Sequence, residues 1–166
     1  MKEITLANNK GIAIIDDEDF EEIRRCKWHL FNAHNGCCYA LTNIKSEKTK
    51  GGRTTISMQR MILKPMKKEQ IDHLNHGGLD NQKTNLRICN NSQNQMNKRK
   101  SKNQTSSQYK GVGWHVWRKK WQAFIGQDSC QICIGYFDNE ELAALAYNKK
   151  AVELFGDFAY LNMVVG

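Results

Sequence analysis

The stretch Ile71-Asp-His-Leu-Asn-His-Gly-Gly-Leu-Asp-Asn-Gln-Lys-Thr-Asn-Leu-Arg-Ile88 is dense in oxygen and nitrogen donors. Mg²⁺ prefers oxygen ligands and keeps several waters, so one carboxylate and one amide oxygen can suffice when a phosphate supplies the rest. Asp72 and Asn94 offer those two oxygens, and His73 could take a proton from an attacking water. An Asn- and Gly-rich turn with one structural histidine explains the same residues, so both interpretations stay open here.

Upstream of this stretch the pattern predicts small strands and a short helix. Residues 4–6 and 11–15 suggest two strands joined by a turn at 8–10. The acidic run that begins at Asp16 suits the first turn of a helix. Residues 38–44 alternate like a strand, and 54–63 has strand-like or mixed apolar content that ends at Pro65.

The excess positive charge lies in one segment. The chain has a net charge of +8, and the segment 98–120 holds eight Lys and Arg without Asp or Glu, which leaves 17 basic and 17 acidic residues elsewhere. Neutralisation of phosphates and release of their counterions is the simplest reason for such a segment. A solvated linker is the alternative, although its tryptophans argue against it. This pattern therefore indicates nucleic acid as a partner.

The C-terminal third predicts a small sheet covered by one helix. Residues 109–114, 121–126 and 131–137 are expected to form three strands. Asp138 and Glu141 have the spacing of a capping box, and apolar residues then recur at helical spacing until Gly156. Phe124, Tyr147 and Phe155 are expected under the helix, whereas Trp114 and Trp117 could lie in the core or on the open side.

Composition excludes several classes of protein. The 166 residues are 40% hydrophobic, which suits a folded chain of one or two domains. The sequence has no apolar run of about 18 residues and no secretory leader, so we expect a soluble, cytoplasmic protein that does not bind membranes. Cys130 and Cys133 have the spacing of half a zinc site, but no second pair follows. We expect them instead as reduced residues, with Cys130 a small buried hydrophobe.

The motifs around Asp72 resemble the HNH endonucleases of the homing type found in phages and introns. The resemblance lies in Asp72-His73-Leu-Asn75, Leu79-Asp80-Asn81, Asn85-Leu86-Arg87 and Asn90-x-x-Gln93-Asn94-x-x-Asn97. That family folds as a ββα-metal unit, in which a helix crosses two strands and one divalent cation is bound. The resemblance also extends to residues 4–44, and 56–63 resembles the strand that enters the motif.

The resemblance implies roles for individual residues. Asp72 and Asn94 would be the metal ligands for Mg²⁺ or Mn²⁺, His73 the general base, and Asn85 the residue that ties the hairpin loop together. The family commonly has Met-His-Arg where this chain has Met58-Gln59-Arg60. Glutamine does not titrate or ligate as an imidazole does, so this difference bears directly on cleavage.

The tail resembles the APETALA2/ethylene-response-factor DNA-binding domain. The resemblance lies in Tyr109-Lys-Gly-Val112, Trp121-Gln-Ala123, Gly135-Tyr-Phe-Asp138, Ala143-Ala, Ala146-Tyr147 and Phe155-Gly156, about a third of the chain. In that family the sheet lies in the major groove. Gly113 replaces a common arginine, so phosphate contact is the safer expectation.

We therefore expect an α+β protein with a ββα-metal (HNH) nuclease region followed by a three-stranded antiparallel sheet packed on one helix. The expected divisions are 1–97 (metal core about 56–97), a basic linker at 98–108, and a DNA-binding domain at 109–162. The residues expected to contact DNA are Arg60, Arg87, Lys98, Arg99, Lys100, Lys110, Trp114, His115, Arg118, Lys120 and Trp121.

The expected function is a site-directed DNA endonuclease, monomeric or weakly dimeric, acting on double-stranded DNA and not on a small molecule. The expected setting is a bacterial or phage-infected cell. A non-catalytic DNA-binding protein on a degenerate HNH scaffold is the main alternative, motivated by Gln59. A single-stranded RNA binder that uses exposed tryptophans is a third.

Overall fold

A computed structural model describes residues 1–7, 10–33, 36–47, 51–100, 106–127 and 130–164. Strands and helices are mixed along the chain, which confirms the α+β class. The chain divides into two compact units, Met1–Asn91 and Ser92–Gly166. The expected linker at 98–108 therefore begins within the second unit. None of the helices in these ranges is long and apolar enough to cross a membrane.

The first unit contains three small antiparallel sheets. Its elements are β1 (Lys2–Thr5), β2 (Ile12–Ile15), α1 (Phe20–Ile23), β3 (His29–Asn32), β4 (Cys38–Lys45), β5 (Arg53–Ser57), α2 (Met58–Leu63), β6 (Gln70–His73) and β7 (Leu86–Cys89). The pairings are β1 with β2, β4 with both β3 and β5, and β6 with β7. The predicted pair of N-terminal strands and the strand at 38–44 are confirmed, whereas residues 8 and 9 of the predicted turn lie outside the described residues.

One core holds the N-terminal hairpin against α1, β4 and α2. Its buried members are Ile4, Leu6, Ala13, Ile15, Ile23, Trp28, Ala40 and Met58. Alternation on β2 explains part of this core, because Ala13 and Ile15 point inward while Ile12 is exposed. The Trp28 Nε1–H donates to the Ile23 carbonyl at 2.8 Å, which satisfies its polar atom inside the core.

Residues 56–63 do not form the single strand that the resemblance suggested. β5 ends at Ser57, and α2 follows at once. The apolar run Met58–Leu63 is compatible with a helix as well as with a strand. In the helix Met58 is buried in the core, and Met61 and Ile62 pack against the same core. Lys64 then ends the helix in the left-handed conformation just before Pro65.

The second unit is a three-stranded sheet covered by a helix. After α3 (Asn91–Met96) come β8 (Val112–His115), β9 (Lys120–Gln127), β10 (Cys130–Phe137) and α4 (Glu140–Phe155), and β9 is the central strand. This part of the prediction is confirmed. Ala143, Ala144, Tyr147 and Ala151 of α4 are buried against the sheet. Gly111 adopts a φ of +71°, and a Cβ there would lie 2.1 Å from the Tyr147 ring.

Three local predictions in this unit are wrong. Phe124 does not lie under the helix, because its neighbours Ala123 and Ile125 face α4 and strand alternation puts Phe124 on the other side of the sheet, beside Gly113. The cap of α4 is Asn139, whose Oδ1 accepts from the backbone N–H of Glu141 and Leu142, and Asp138 precedes it. Asp and Asn are both favourable N-cap residues, so the residue types alone could not show which of Asp138 and Asn139 caps the helix. Cys130 is exposed rather than buried, because the residues of β10 that pack against the core under α4, Ile134 and Phe137, lie toward the other end of the strand.

Candidate active site

The β6–β7 hairpin places Asp72 directly opposite Arg87. The two residues are register partners in the antiparallel pair. Arg87 donates to the Asp72 Oδ2 atom from Nε at 3.0 Å and from Nη2 at 2.6 Å. Both side chains are largely buried, with 8% and 15% exposure for Asp72 and Arg87. The predicted metal ligand is therefore one half of a buried ion pair, which the sequence did not indicate.

His73 follows Asp72 on the same strand and is buried. Its Nε2 lies 3.3 Å from the Asn81 Oδ1 atom, and the Tyr39 ring lies at a centroid distance of 6.0 Å from the imidazole. An amide oxygen only accepts hydrogen bonds, so with this oxygen toward the ring an Nε2 that carries the proton would donate to it, and the Nδ1 lone pair would then be an acceptor. Burial lowers the pKa of His73, against opposing effects of the Asn81 hydrogen bond and of Asp72 and Asp80.

Asn85 holds the loop between the two strands. Its Oδ1 accepts from the Asn75 N–H at 3.0 Å, and its Nδ2 donates to the Asn75 Oδ1 and to the Asp80 carbonyl. Asn75 in turn donates to the Asp80 carboxylate at 2.7 Å. Asparagine suits this position because one amide supplies both donors and acceptors to a turn. Asn85 thus shapes the loop that carries Asn81 toward His73.

The N-terminal elements fix the other side of this loop. The backbone of Ile14 donates to the Leu79 carbonyl at 2.9 Å and accepts from the Asn81 N–H at 2.7 Å. The Asp16 carboxylate accepts from the Lys83 N–H at 2.7 Å. The loop also packs closely on β4, since a Cβ added to Gly78 would lie 2.4 Å from the Cys38 carbonyl oxygen.

The first unit contributes few ligands to a metal. Within the described ranges, no group of three or more His, Cys, Asp and Glu side chains is arranged to hold an ion. Asp72 is a carboxylate next to the candidate base, and its Oδ2 atom accepts the two hydrogen bonds from Arg87. One carboxylate group, together with phosphate and water oxygens, suits Mg²⁺ and does not suit a cation that needs a complete protein cage. Asn94, the other predicted ligand, lies half-buried on α3 in the second unit.

Gln59 and Arg60 both have structural positions on α2. Gln59 is buried, and its Oε1 has no hydrogen-bond partner among the described residues. The Arg60 guanidinium donates twice to the Glu69 carbonyl, with both distances 3.1 Å, and so ties α2 to the residue before β6. A phosphate would have to compete with that carbonyl for Arg60.

The second unit presents a polar and aromatic side that we call the open face, formed by His115, Lys120, Gln122, Cys133 and Tyr136. His115 pairs with Lys120, and Gln122 pairs with Tyr136, while the alternate residues Ala123 and Ile125 face α4. The His115 and Tyr136 rings meet edge to face at 5.2 Å. The Arg118 guanidinium lies 4.5 Å from the Tyr136 ring centre, which adds a positive charge to this face.

The other predicted DNA contacts have different surroundings. Trp121 packs against the core under α4, and Trp114 lies beside it at 5.2 Å with 41% exposure. Trp117, which the sequence left open, is 93% exposed. Lys98 and Arg99 are exposed.

Two lysines of the expected basic segment bind backbone carbonyls. The Lys100 ammonium donates to the carbonyls of Ser107, Tyr109 and Val112 at 2.7–3.3 Å. The Lys110 ammonium donates to the carbonyls of Met96 and Lys98, both at 2.7 Å. Burial, followed by the charge of Lys98, lowers the pKa of Lys110 to about 8. Both ammonium groups therefore hold the fold of the second unit together.

Sequence reasoning did not single out Asn81 or Tyr136. The signal for Asn81 was its place in Leu79-Asp80-Asn81, within reach of a histidine across the loop. For Tyr136 the signal was the alternation of β10. The pairing register of β8, β9 and β10 is also needed before this alternation shows that Tyr136 and His115 lie on the same side of the sheet.

Comparison with known proteins gives two partial similarities. An uncharacterized HNH endonuclease of Acanthamoeba polyphaga mimivirus is 36% identical over 94 residues, which cover 57% of this chain and 47% of that protein. An AP2-like ethylene-responsive transcription factor of Arabidopsis thaliana is 38% identical over 61 residues, covering 37% of this chain and 13% of that protein. The chain thus spans less than half the length of each relative. No family model and no solved structure matches.

Proposed function

We propose that this protein is a site-directed DNA endonuclease of the homing type that hydrolyses a phosphodiester at the β6–β7 hairpin. The observation that carries the proposal is the buried His73, which follows the buried carboxylate of Asp72 on β6 and contacts the Asn81 amide oxygen through Nε2. The similarity to a protein named an HNH endonuclease supports a nuclease-type function.

In this mechanism His73 removes a proton from water as the water attacks the phosphate. Asp72 would hold one Mg²⁺ or Mn²⁺ ion, and Arg87 fixes the orientation of the carboxylate. A bound ion would stabilise the charge that builds on the phosphate and on the leaving oxygen. Asn85 keeps the loop in the shape that this geometry needs.

We further propose that the second unit binds double-stranded DNA through its open face. Arg118, Lys120 and His115 offer positive or hydrogen-bonding groups on one side of a sheet, a shape that fits the major groove. Similarity to a transcription factor supports DNA as the partner. Lys98 and Arg99 add exposed charge in the same unit.

The test is nicking of supercoiled plasmids that carry phage-derived or genomic inserts, in Mg²⁺ or in EDTA, followed by mapping of the ends. We expect nicked or linear product only with the metal. His73→Ala should lower the rate about 10²–10⁴-fold, the usual contribution of a general base. His29→Ala is the matched control, because His29 is an exposed histidine of the same unit. Undiminished nicking by His73→Ala would refute the assignment.

A non-catalytic DNA-binding protein is the second candidate. The buried Asp72–Arg87 pair and the glutamine at position 59 favour it, since both reduce what this site can offer to a metal. It predicts salt-sensitive duplex binding without metal-dependent nicking on any insert.

A further inference from the structure

We propose that Asn81 is a positioning residue: its side-chain oxygen holds His73 in the tautomer that carries the proton on Nε2. The observation is the 3.3 Å contact between the His73 Nε2 and the Asn81 Oδ1 atoms, made by two side chains with 6% and 0% exposure. The consequence for catalysis rests on the proposed function, whereas the tautomer itself does not.

The surroundings of Asn81 keep its amide in place. Its backbone N–H donates to the Ile14 carbonyl, and Ile14 also binds the Leu79 carbonyl, so β2 fixes the chain on both sides of Asp80. The side chain is fully buried, which leaves it no solvent-filled space in which to rotate. The N-terminal hairpin therefore sets the position of the Asn81 backbone, from which the side chain reaches His73.

The second amide atom shows that stability alone does not explain this residue. The Asn81 Nδ2 is buried and has no hydrogen-bond partner among the described residues. A buried donor without a partner is destabilising, and an apolar side chain of similar size would avoid that loss. An asparagine at this place therefore suits a role in directing His73 better than a role in stabilising the loop.

The orientation of this amide decides which proton transfer His73 can perform. With Oδ1 toward the ring, Nε2 keeps its proton and Nδ1 accepts the proton of the attacking water as the new phosphorus–oxygen bond forms. The old phosphorus–oxygen bond breaks, and the leaving oxygen takes a proton from solvent. If Nδ2 faced the ring instead, Nε2 would have to accept, and Nδ1 would already carry the proton.

The direct test is the tautomer, measured by ¹⁵N NMR of the histidine rings in the full chain without metal or DNA at pH 8. The His73 signals are assigned by their loss in His73→Gln. We expect a protonated Nε2 and an unprotonated Nδ1 in the wild type and in Asn81→Asp, which retains an oxygen acceptor. Asn81→Leu should give a mixture of tautomers. A wild-type His73 protonated on Nδ1 would overturn the proposal, even if Asn81→Leu fails to fold.

Plasmid nicking then tests the catalytic consequence. Asn81→Leu should be about 10- to 100-fold slower, as when the partners that orient metal-bound histidines are removed. Asn81→Asp should retain more activity than Asn81→Leu. Asn43→Leu, which removes an exposed hydrogen bond to Thr55 in the same unit, should nick at the wild-type rate. A folded Asn81→Leu variant with full activity would contradict the positioning role. A wild type with the expected tautomer but no nicking would instead count against the proposed function alone.

Discussion

Replacing Arg87 with methionine should destabilise the first unit strongly. The substitution leaves the Asp72 carboxylate buried without the guanidinium that donates to it at 3.0 and 2.6 Å. Loss of one partner from a buried ion pair costs about 3–5 kcal/mol. We expect the lower end of that range, because Arg87 retains 15% exposure and water can partly replace it. The double variant Asp72→Leu/Arg87→Met should recover much of this loss, because neither charge then remains buried.

The measurement is urea unfolding followed through NMR signals of the first unit, since the two units need not unfold together. Lys64→Met is the matched control. Its partner is Glu22 at 3.1 Å, but the two side chains are 66% and 54% exposed, so we expect a change below about 1 kcal/mol. If Arg87→Met were no more destabilising than Lys64→Met, the Asp72–Arg87 pair would not hold the hairpin as described.

Three further predictions test other parts of the fold. Gly78→Ala should cost about 1–3 kcal/mol in urea unfolding, because its Cβ would meet the Cys38 carbonyl oxygen, whereas Gly51→Ala, whose Cβ would meet no atom of the described residues within 4 Å, should change little. The pKa of Lys110 is lowered to about 8, so the unfolded chain binds more protons between pH 8 and its ordinary pKa of 10.5. The Lys110 contribution to stability should therefore rise with pH from 8 toward 10, and an equally steep rise in Lys110→Met would contradict this assignment. Trp117→Ala should change the free energy of unfolding by less than about 0.5 kcal/mol, because the ring is 93% exposed. Trp121→Ala should cost more than about 1 kcal/mol, because Trp121 packs against the core. Equal losses for the two variants would show that Trp117 is also packed in solution.

The sequence predicted the second unit better than the first. The apolar residues of β9 and β10 and the apolar spacing of α4 are local patterns, so they can be recognised without knowing which segments lie next to them. The run Met58–Leu63 was assigned wrongly because a six-residue apolar segment fits a strand or a helix, and the core around Met58 selects the helix. The exposure of Cys130 likewise depends on where α4 lies.

The candidate site was predictable in its residues and not in its contacts. Asp72 and His73 could be chosen from donor chemistry and resemblance, since they are adjacent in the chain. The Arg87 partner required the register of β6 and β7, and the Asn81 partner required the path of a loop fixed by β2. Both contacts join residues that are distant in the sequence, so no local sequence pattern predicts them.

The stacking of Arg118 on Tyr136 has a consequence for how the open face would recognise a ligand. An exposed arginine normally loses about 2 kcal/mol of rotational freedom when it is held in one geometry. With its guanidinium already 4.5 Å over the Tyr136 ring, part of that entropy has been lost during folding. If Arg118 contacts a phosphate, as the proposed function requires, Tyr136 would raise the affinity without touching that phosphate, because it lowers the entropic penalty of ordering Arg118.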